Sequence, residues 1–386
     1  MTLDQDQSHG DDERAREYSR LKDRITLLGT ATSLLASSGF VFTGLAARVN
    51  RAMLPERHAS LRQRLFYSAT LSAVSSLASL PMSFYSGYRV EKKYGLSNQS
   101  PAAWVGDVVK AKAISLPVEL SIVEGLYAAL RRYPRSWWLV CAGAVVPLTA
   151  VFAQLFPVLI APRFNTYEPL RDEALATRLR DLTNRAGVPV ADVMQMDMSR
   201  RTSKANAFFA GIGRTKRIVL ADTMLDTFTP EEIEGVVAHE TAHQVHKDIW
   251  RFVALSGVFT LLTAGTVDLL ARPLLRHLPY TSATRDLANP RSLPAIGVVL
   301  SIGSLLLSPL QLAYSRAIER KADRYAIELT GDPGSYANAM RKLGIQNVAD
   351  PNPPRPITFL LHSHPPIAER IERAEEAEYR KVSGTG

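Results

Sequence analysis

Cysteine is almost absent from this chain. Its 386 residues include one, Cys141, inside an apolar run, so no intramolecular disulfide can form and nothing points to an oxidising compartment. Nucleic-acid signatures are missing too. The net charge is +9, but without zinc-finger or RNP motifs a basic balance does not make nucleic acid a partner. The N-terminus lacks a short apolar core followed by a small-residue cleavage site. Its first 24 residues are charged and lead directly into an apolar run long enough to span a bilayer, which reads as a retained segment. Internal repeats and low-complexity tracts are absent as well, which excludes a solenoid.

What is present falls into two populations. Hydrophobic residues make up 46 % of the chain, and the mean hydropathy of -0.04 averages long uncharged apolar runs with segments dense in Arg, Glu and Asp. That profile belongs to a membrane protein carrying a water-facing domain. Six runs approach the length of about 20 residues that a crossing helix needs, at 25–46, 65–88, 113–130, 137–161, 249–270 and 293–314. Arg20, Lys22 and Arg24 precede the first, and Arg62 and Arg64 the second, as expected of contact with anionic lipid. Glu119 and Glu124 lie in the third run and Asp268 in the fifth. A carboxylate at mid-membrane costs about 2.5–3.5 kcal/mol on insertion scales, so these side chains should face a bundle interior or a watery cavity. For Asp268 an interfacial position is equally open. With the N-terminus inside, parity puts the soluble domain in the cytosol, although Arg48, Arg51, Arg57, Arg62 and Arg64 then lie outside, against the positive-inside tendency.

The soluble stretch, 162–247, has mixed periodicity. Residues 172–186 form an amphipathic helix pattern ended by Gly187, and 193–197 and 217–223 read as strands. Residues 204–211 are a third strand candidate, joined to 217–223 through Gly211-Ile212-Gly213 as a hairpin. Thr229 then caps a helix with Pro230 in first position and Glu232 completing a capping box. After the last apolar run, 316–330 is helical in pattern and stops at Gly331.

The capped helix carries His239-Glu240-Thr241-Ala242-His243. Histidines at i and i+4 share one helical face and can share one Zn²⁺. Glu240 follows the first histidine, which brings its carboxylate beside the open coordination position, where it can take a proton from an attacking water. The bland alternative is a helix with two partly buried histidines; the apolar Val236-Val237-Ala238 before them favours the metal. Catalytic zinc commonly has three protein ligands. His246 is in helical register, but the longer three-histidine spacing of metzincins is absent. A carboxylate from a second helix is the other source: Glu319, with Asp323 one turn later to accept the far N–H of a ligand histidine. Arg316, Arg320, Lys321 and Arg324 surround that pair, so spacing alone leaves a solvated charged face equally open.

Taken together, these residues resemble the integral-membrane type I CAAX prenyl proteases and, more distantly, their HtpX-like bacterial relatives. The resemblance runs through Glu91-Lys92-Lys93-Tyr94-Gly95-Leu96-Ser97-Asn98-Gln99, Trp104 and Asp107, then Pro162-Arg163-Phe164-Asn165-Thr166-Tyr167-Glu168-Pro169-Leu170 and Asn206-Ala207-Phe208. It continues through Arg217-Ile218-Val219-Leu220, Asp222-Thr223, the HExxH, Glu319 with Ala322-Asp323, and His364-Pro365-Pro366. It implies a zinc endopeptidase whose third ligand is Glu319. It also implies that His364 stabilises the tetrahedral intermediate with Arg370 nearby, and that substrate pairs its backbone with the edge at Asn206, Ala207 and Phe208. By residue type alone His364 is a turn residue before two prolines. Eukaryotic members resemble a seven-span bundle around a large chamber; six spans are counted here, and the missing one is the first, because the Glu91–Gln99 motif already follows the second.

The expectation is an α-helical membrane protein of about six transmembrane helices with an α+β zincin catalytic domain of gluzincin type. Its parts are a charged tail (1–24), four spans (25–161) with a motif loop (89–112), and a zincin domain with the HExxH helix (162–248). Two further spans follow (249–314), then the third-ligand helix and the rest of the catalytic domain (315–386). The expected cofactor is one Zn²⁺. The expected partners are the bilayer and peptide or protein substrates anchored in it, with cleavage near their C-termini. A quality-control protease and a non-cleaving peptide-binding pseudoenzyme are the alternatives, and the presence of Glu240 argues against the latter.

Overall fold

Apolar length sets the first layer of the architecture. The computed structural model describes residues 3–55, 59–211, 213–277 and 286–383; Arg57 and the turn residue Ile212 lie outside these. Among the described residues six helices are long and apolar enough to cross a bilayer: Gly10–Phe42, Leu61–Lys93, Pro101–Arg132, Trp137–Leu155, Asp248–Ala271 and Pro290–Thr330. In chain order the first elements are α1 (Leu3–Phe42), the short α2 (Leu45–Met53), and α3 (Leu61–Phe84), which runs through a π-helical turn, Tyr85–Val90, into α4 (Glu91–Lys93). Then come α5 (Pro101–Arg132) and α6 (Trp137–Leu155). Leu28, Leu35, Leu77 and Val151 on these helices are exposed, as lipid-facing residues of a bundle must be.

The charged lead-in, expected as a tail, is helical from Leu3 onward and forms the first half of α1. At 1.5 Å per residue this 40-residue helix is about 60 Å long, roughly twice the apolar thickness of a bilayer. Its charged half therefore stands beside the soluble domain. Tyr18 donates to Glu91 Oε1 at 2.7 Å, the Asp350 N–H donates to Ser19 Oγ at 3.1 Å, and Asp23 lies 3.2 Å from His362.

The three carboxylates expected within the spans, Glu119, Glu124 and Asp268, each have a partner. Arg64 Nη2 reaches Glu124 Oε2 at 2.8 Å, and Glu119 accepts from Lys112 at 2.8 Å and from Ser72 at 2.6 Å. Asp268 accepts from the Trp137 indole at 2.9 Å within a buried cluster that includes Val267 and Ala271. Asp268 therefore faces neighbouring helices of the bundle. Between α1, α3 and the last span lies a groove of about 800 Å³ lined by Thr26, Thr30, Ser83, Ser301 and Ser304 among others.

The soluble domain is a four-stranded sheet covered by helices. It comprises β1 (Tyr167–Pro169), α7 (Glu173–Arg185), β2 (Asp192–Met196), β3 (Ala207–Ala210), β4 (Arg217–Ala221), α8 (Asp222–Leu225) and α9 (Pro230–Val245). Two membrane helices follow, α10 (Asp248–His277) and α11 (Leu293–Thr330), and the chain ends in α12 (Pro333–Gln346), α13 (Arg355–Leu361) and α14 (Ile367–Ser383). The sheet order is β1-β2-β4-β3, with β2 and β4 parallel and both outer strands antiparallel to their neighbours. β3 and β4 make the expected hairpin, which leaves β3 on the edge. The three-residue β1 falls inside the 162–170 stretch, too short to show a periodicity.

Local signals placed several boundaries. Asp172 caps α7 and Gly187 follows it at φ +70. Both bonds of the Thr229–Glu232 capping box are made, at 2.8 and 3.3 Å. The HExxH helix is not continuous with the fifth span, because Lys247 adopts φ 56 and breaks the chain between α9 and α10. The third-ligand segment, by contrast, is not separate from the sixth span: α11 is one helix of 38 residues that continues to its left-handed stop at Gly331.

Candidate metal centre and cleft

Two histidines and a glutamate converge where α9 meets α11. His239 and His243, one turn apart, have ring centroids 4.9 Å apart and planes at 88°. Opposite them, Glu319 Oε2 is 3.1 Å from His239 Nε2, and its Oε1 is 3.7 Å from His243 Nε2. One ligand atom from each of the three lies within 4.8 Å of the others.

The partners of these groups define their tautomers. Asp323 Oδ1 is 2.9 Å from His239 Nδ1, and Asp248 Oδ2 is 3.0 Å from His243 Nδ1. An ionised carboxylate can only accept, so each Nδ1 carries the hydrogen and each Nε2 lone pair is left facing Glu319. Lone pairs and a carboxylate aimed at one another repel unless a cation lies among them. Glu319 Oε2 is buried without a hydrogen-bond partner, as a ligand atom would be. Two imidazole nitrogens and one carboxylate oxygen are a donor set of catalytic zinc, which keeps a further position open. The residues fit that ion. Burial opposes charge on His239, but Asp323 and Glu319 outweigh it and raise the imidazole to about 9.

A second ring of side chains holds the first. Tyr336 donates to Asp323 Oδ1 at 2.6 Å, Arg370 Nη2 reaches the same oxygen at 2.6 Å, and Arg370 Nε reaches Oδ2 at 3.1 Å. Tyr336 can come this close because Gly235, one turn before His239 on the same face of α9, has no side chain; a Cβ there would lie 3.3 Å from the tyrosine ring. Asp248 reaches His243 through the left-handed Lys247. In an unbroken helix a residue five positions on would point about 140° away.

The ligands open onto a cavity of about 560 Å³ whose lining includes Asn206, Ala207, Glu240, His364 and Arg370. Glu240 is half-buried, and burial pushes its carboxyl above the usual range, with His239 and His243 opposing. His364 stands on the open side with its side chain 61 % exposed and its Nε2 3.5 Å from Glu319 Oε1. The Asn206 carbonyl accepts from the Ala221 N–H at 2.9 Å. Strand alternation then turns the backbone N–H and C=O of Ala207 to the free edge.

Three further residues are placed by their surroundings. His246 is away from the ligands, edge-on to Tyr325 at 5.5 Å. Arg370, expected near the tetrahedral intermediate, lines the cavity but is buried with its guanidinium committed to Asp323 and Tyr336. Phe208 turns from the ligand-bearing cavity to a second one on the other face of the sheet. Sequence reasoning missed Asp248 and Tyr336. Neither belongs to a motif, and only the helix break and the Gly235 contact bring them in.

Residues 169–378 match the family model of Peptidase family M48, and residues 3–166 match the one described as CAAX prenyl protease N-terminal, five membrane helices. Four of the six spans fall in that second region among the described residues, one fewer than its description. The chain is 30 % identical to the uncharacterized metalloprotease YhfN of Bacillus subtilis, over 94 % of this chain and 85 % of that one. It is 28 % identical to CAAX prenyl protease 1 of Saccharomyces cerevisiae, over 95 % and 86 % of the two chains. The crystal structure of S. mikatae Ste24p superposes with a TM-score of 0.80 at 24 % identity, covering 94 % of this chain and 88 % of that one; the fold is shared.

If Glu319 completes the metal site, Glu319→Ala lowers the zinc content of purified protein while His246→Ala leaves it unchanged. Metal analysis of the two variants reads this out directly, and the reverse pattern assigns the third position to His246.

Proposed function

The chain belongs to peptidase family M48, whose members are zinc-dependent metalloproteases, and on that premise we propose that it cuts peptides anchored in the membrane, close to the anchor and near their C-termini. The observation that carries this reading is the continuity of α11, which runs from the bilayer to Glu319 as one helix. The cleft is thereby held at the membrane surface. An apolar anchor raises substrate concentration there, since each buried methylene contributes about 0.8 kcal/mol. The likeness to yeast CAAX prenyl protease 1 along 95 % of this chain supports an anchored C-terminal substrate.

Zinc, when held by His239, His243 and Glu319, supplies Lewis acidity and makes water a nucleophile at neutral pH. Glu240, on the cavity beside the first ligand histidine, is the general base. It takes the proton of the attacking water and returns it to the leaving amine. His364, on the open side, donates to the oxyanion that develops on the scissile carbonyl. Asp323 and Asp248 keep the two ligand imidazoles in the required tautomer. The free edge at Ala207 aligns the substrate backbone as an added strand, with Asn206 and Phe208 flanking it. The charged half of α1 contacts the catalytic domain, so both lie on one side of the membrane, which we take to be the cytoplasmic side.

Glu240→Gln should lower kcat at least about 10²-fold, the low end for loss of a general base, and His364→Ala should lower kcat more than it raises KM. Zinc content stays normal in both; near-normal turnover with metal present would falsify the corresponding role. For substrate, kcat/KM is compared in detergent for peptides of one scissile sequence with a C-terminal lipid, a C-terminal hydrophobic helix, or neither. The anchored pair should be cut much faster, Ala207→Pro should slow all three, and equal values across the three make this a general peptidase. A lipid-independent preference for the helix favours membrane quality control instead. Orientation is read with Arg185→Cys on exposed α7: an impermeant maleimide should label it only after the membrane is opened, and labelling of intact cells reverses the topology.

A further inference from the structure

The sheet has two faces, and the chemistry above uses one. Ala207, Phe209, Ile218 and Leu220 pack toward α9 in the domain core. Their neighbours alternate: Asn206, Phe208, Tyr167 and Met196 turn the other way, into a cavity of about 640 Å³ between the sheet and the membrane helices. Its far wall carries Trp104, Val108 and Ala111 of α5, with Phe156 and Phe164. Asn206 lines both this cavity and the one that holds Glu240, so the two meet at the edge strand.

This wall is held in place before anything binds. Trp104 stands edge-on to Phe84 at 5.4 Å, and Phe164 is covered by Lys110 and Arg201 at 5.3 and 5.5 Å. Asp107 accepts from Gln99 at 2.6 Å and pairs with Arg201 at 2.8 Å. Glu91 is engaged by Tyr18, Lys22 and Lys204 at 2.7, 2.9 and 2.9 Å. Both carboxylates facing the cavity are therefore neutralised, which suits an apolar occupant. This also gives a use to the Glu91–Gln99, Trp104 and Asp107 motif, which the metal site leaves without one.

We propose that this second cavity is a specificity pocket for one large apolar side chain of the substrate, aromatic or long aliphatic. The inference rests on the strand-addition reading of the Ala207 edge. A peptide paired with that edge has a period of two. The residue beside Ala207 faces α9 and Glu240, and the residue beside Phe208 faces the second cavity. Selectivity is thus concentrated at one substrate position near the scissile bond, while its neighbours are tolerant.

The test uses full-length zinc-loaded protein in detergent and peptides varied singly, as Ala, Leu, Phe or Trp, at each position within three of the scissile bond. One position should favour Phe or Trp over Ala by about 10-fold or more in kcat/KM, the scale of apolar pocket discrimination. Val108→Phe and Ala111→Phe, which fill the cavity, should collapse that ratio at that position and no other. A ratio measured within one variant is insensitive to partial loss of active protein. A flat profile, or a preference that both filling variants leave intact, overturns the pocket. If Ala207→Pro leaves every peptide's rate unchanged, the strand-addition reading fails and the pocket with it; if Ala207→Pro is damaging and the profile is flat, the pocket alone fails.

Discussion

Asp323 is a buried carboxylate on which three further helices depend. It sits on α11 and receives His239 Nδ1 from α9, the Tyr336 hydroxyl from α12 and the Arg370 guanidinium from α14. A buried charge of this kind is tolerable only while its partners are in place. Removing one partner from such a pair commonly costs about 3–5 kcal/mol. The arrangement therefore has little freedom to drift, and what it fixes is the orientation of the His239 ring and the direction of its Nε2 lone pair. Glu319, one turn earlier on the same helix, is carried into position by the same packing.

The membrane supplies the other constraint. α11 has 38 residues, about 57 Å of helix, and the bilayer accounts for roughly half of that length. The remainder carries Glu319 and Asp323 into the soluble domain without an intervening loop. α9 and α10 meet instead at a break, and the left-handed Lys247 places Asp248 back against His243. One continuous helix and one broken pair thus hold the three candidate ligands close to the ends of the apolar spans. A flexible linker at either junction would leave the ligand distances free to vary.

Within the bundle, polar groups are managed by local pairing. Glu124 with Arg64, Glu119 with Lys112, and Asp268 with the Trp137 indole each bring a partner from another helix or from one or two turns away. Such pairs are what make charged residues tolerable in a span. The sheet is divided similarly: one face is core, and the other looks across the second cavity to α5 and the turns that follow α6. Because β3 is the edge strand, the boundary between those two environments coincides with the place where an added strand would lie.

Much of this was visible along the chain. Six apolar runs, the capping box at Thr229, the stop at Gly187 and the paired histidines are local patterns, set by helix period and side-chain type within a few residues. They determined a membrane protein with a metal-binding helix. By spacing alone the third ligand was ambiguous, because a solvated charged face and a ligand-bearing one look alike until the opposing helix is in place; only the family resemblance pointed to Glu319. Asp248 and Tyr336 were invisible. Asp248 is five residues from His243, out of phase in any continuous helix, and becomes its partner only because the chain breaks at Lys247. Tyr336 lies 97 residues from His239 and reaches it only through the gap at Gly235. The ligand chemistry was thus written in side chains one helical turn apart. Its tautomers, the burial of Arg370 and the two cavities were decided by the tertiary structure, because each depends on contacts between residues whose separation in sequence carries no period.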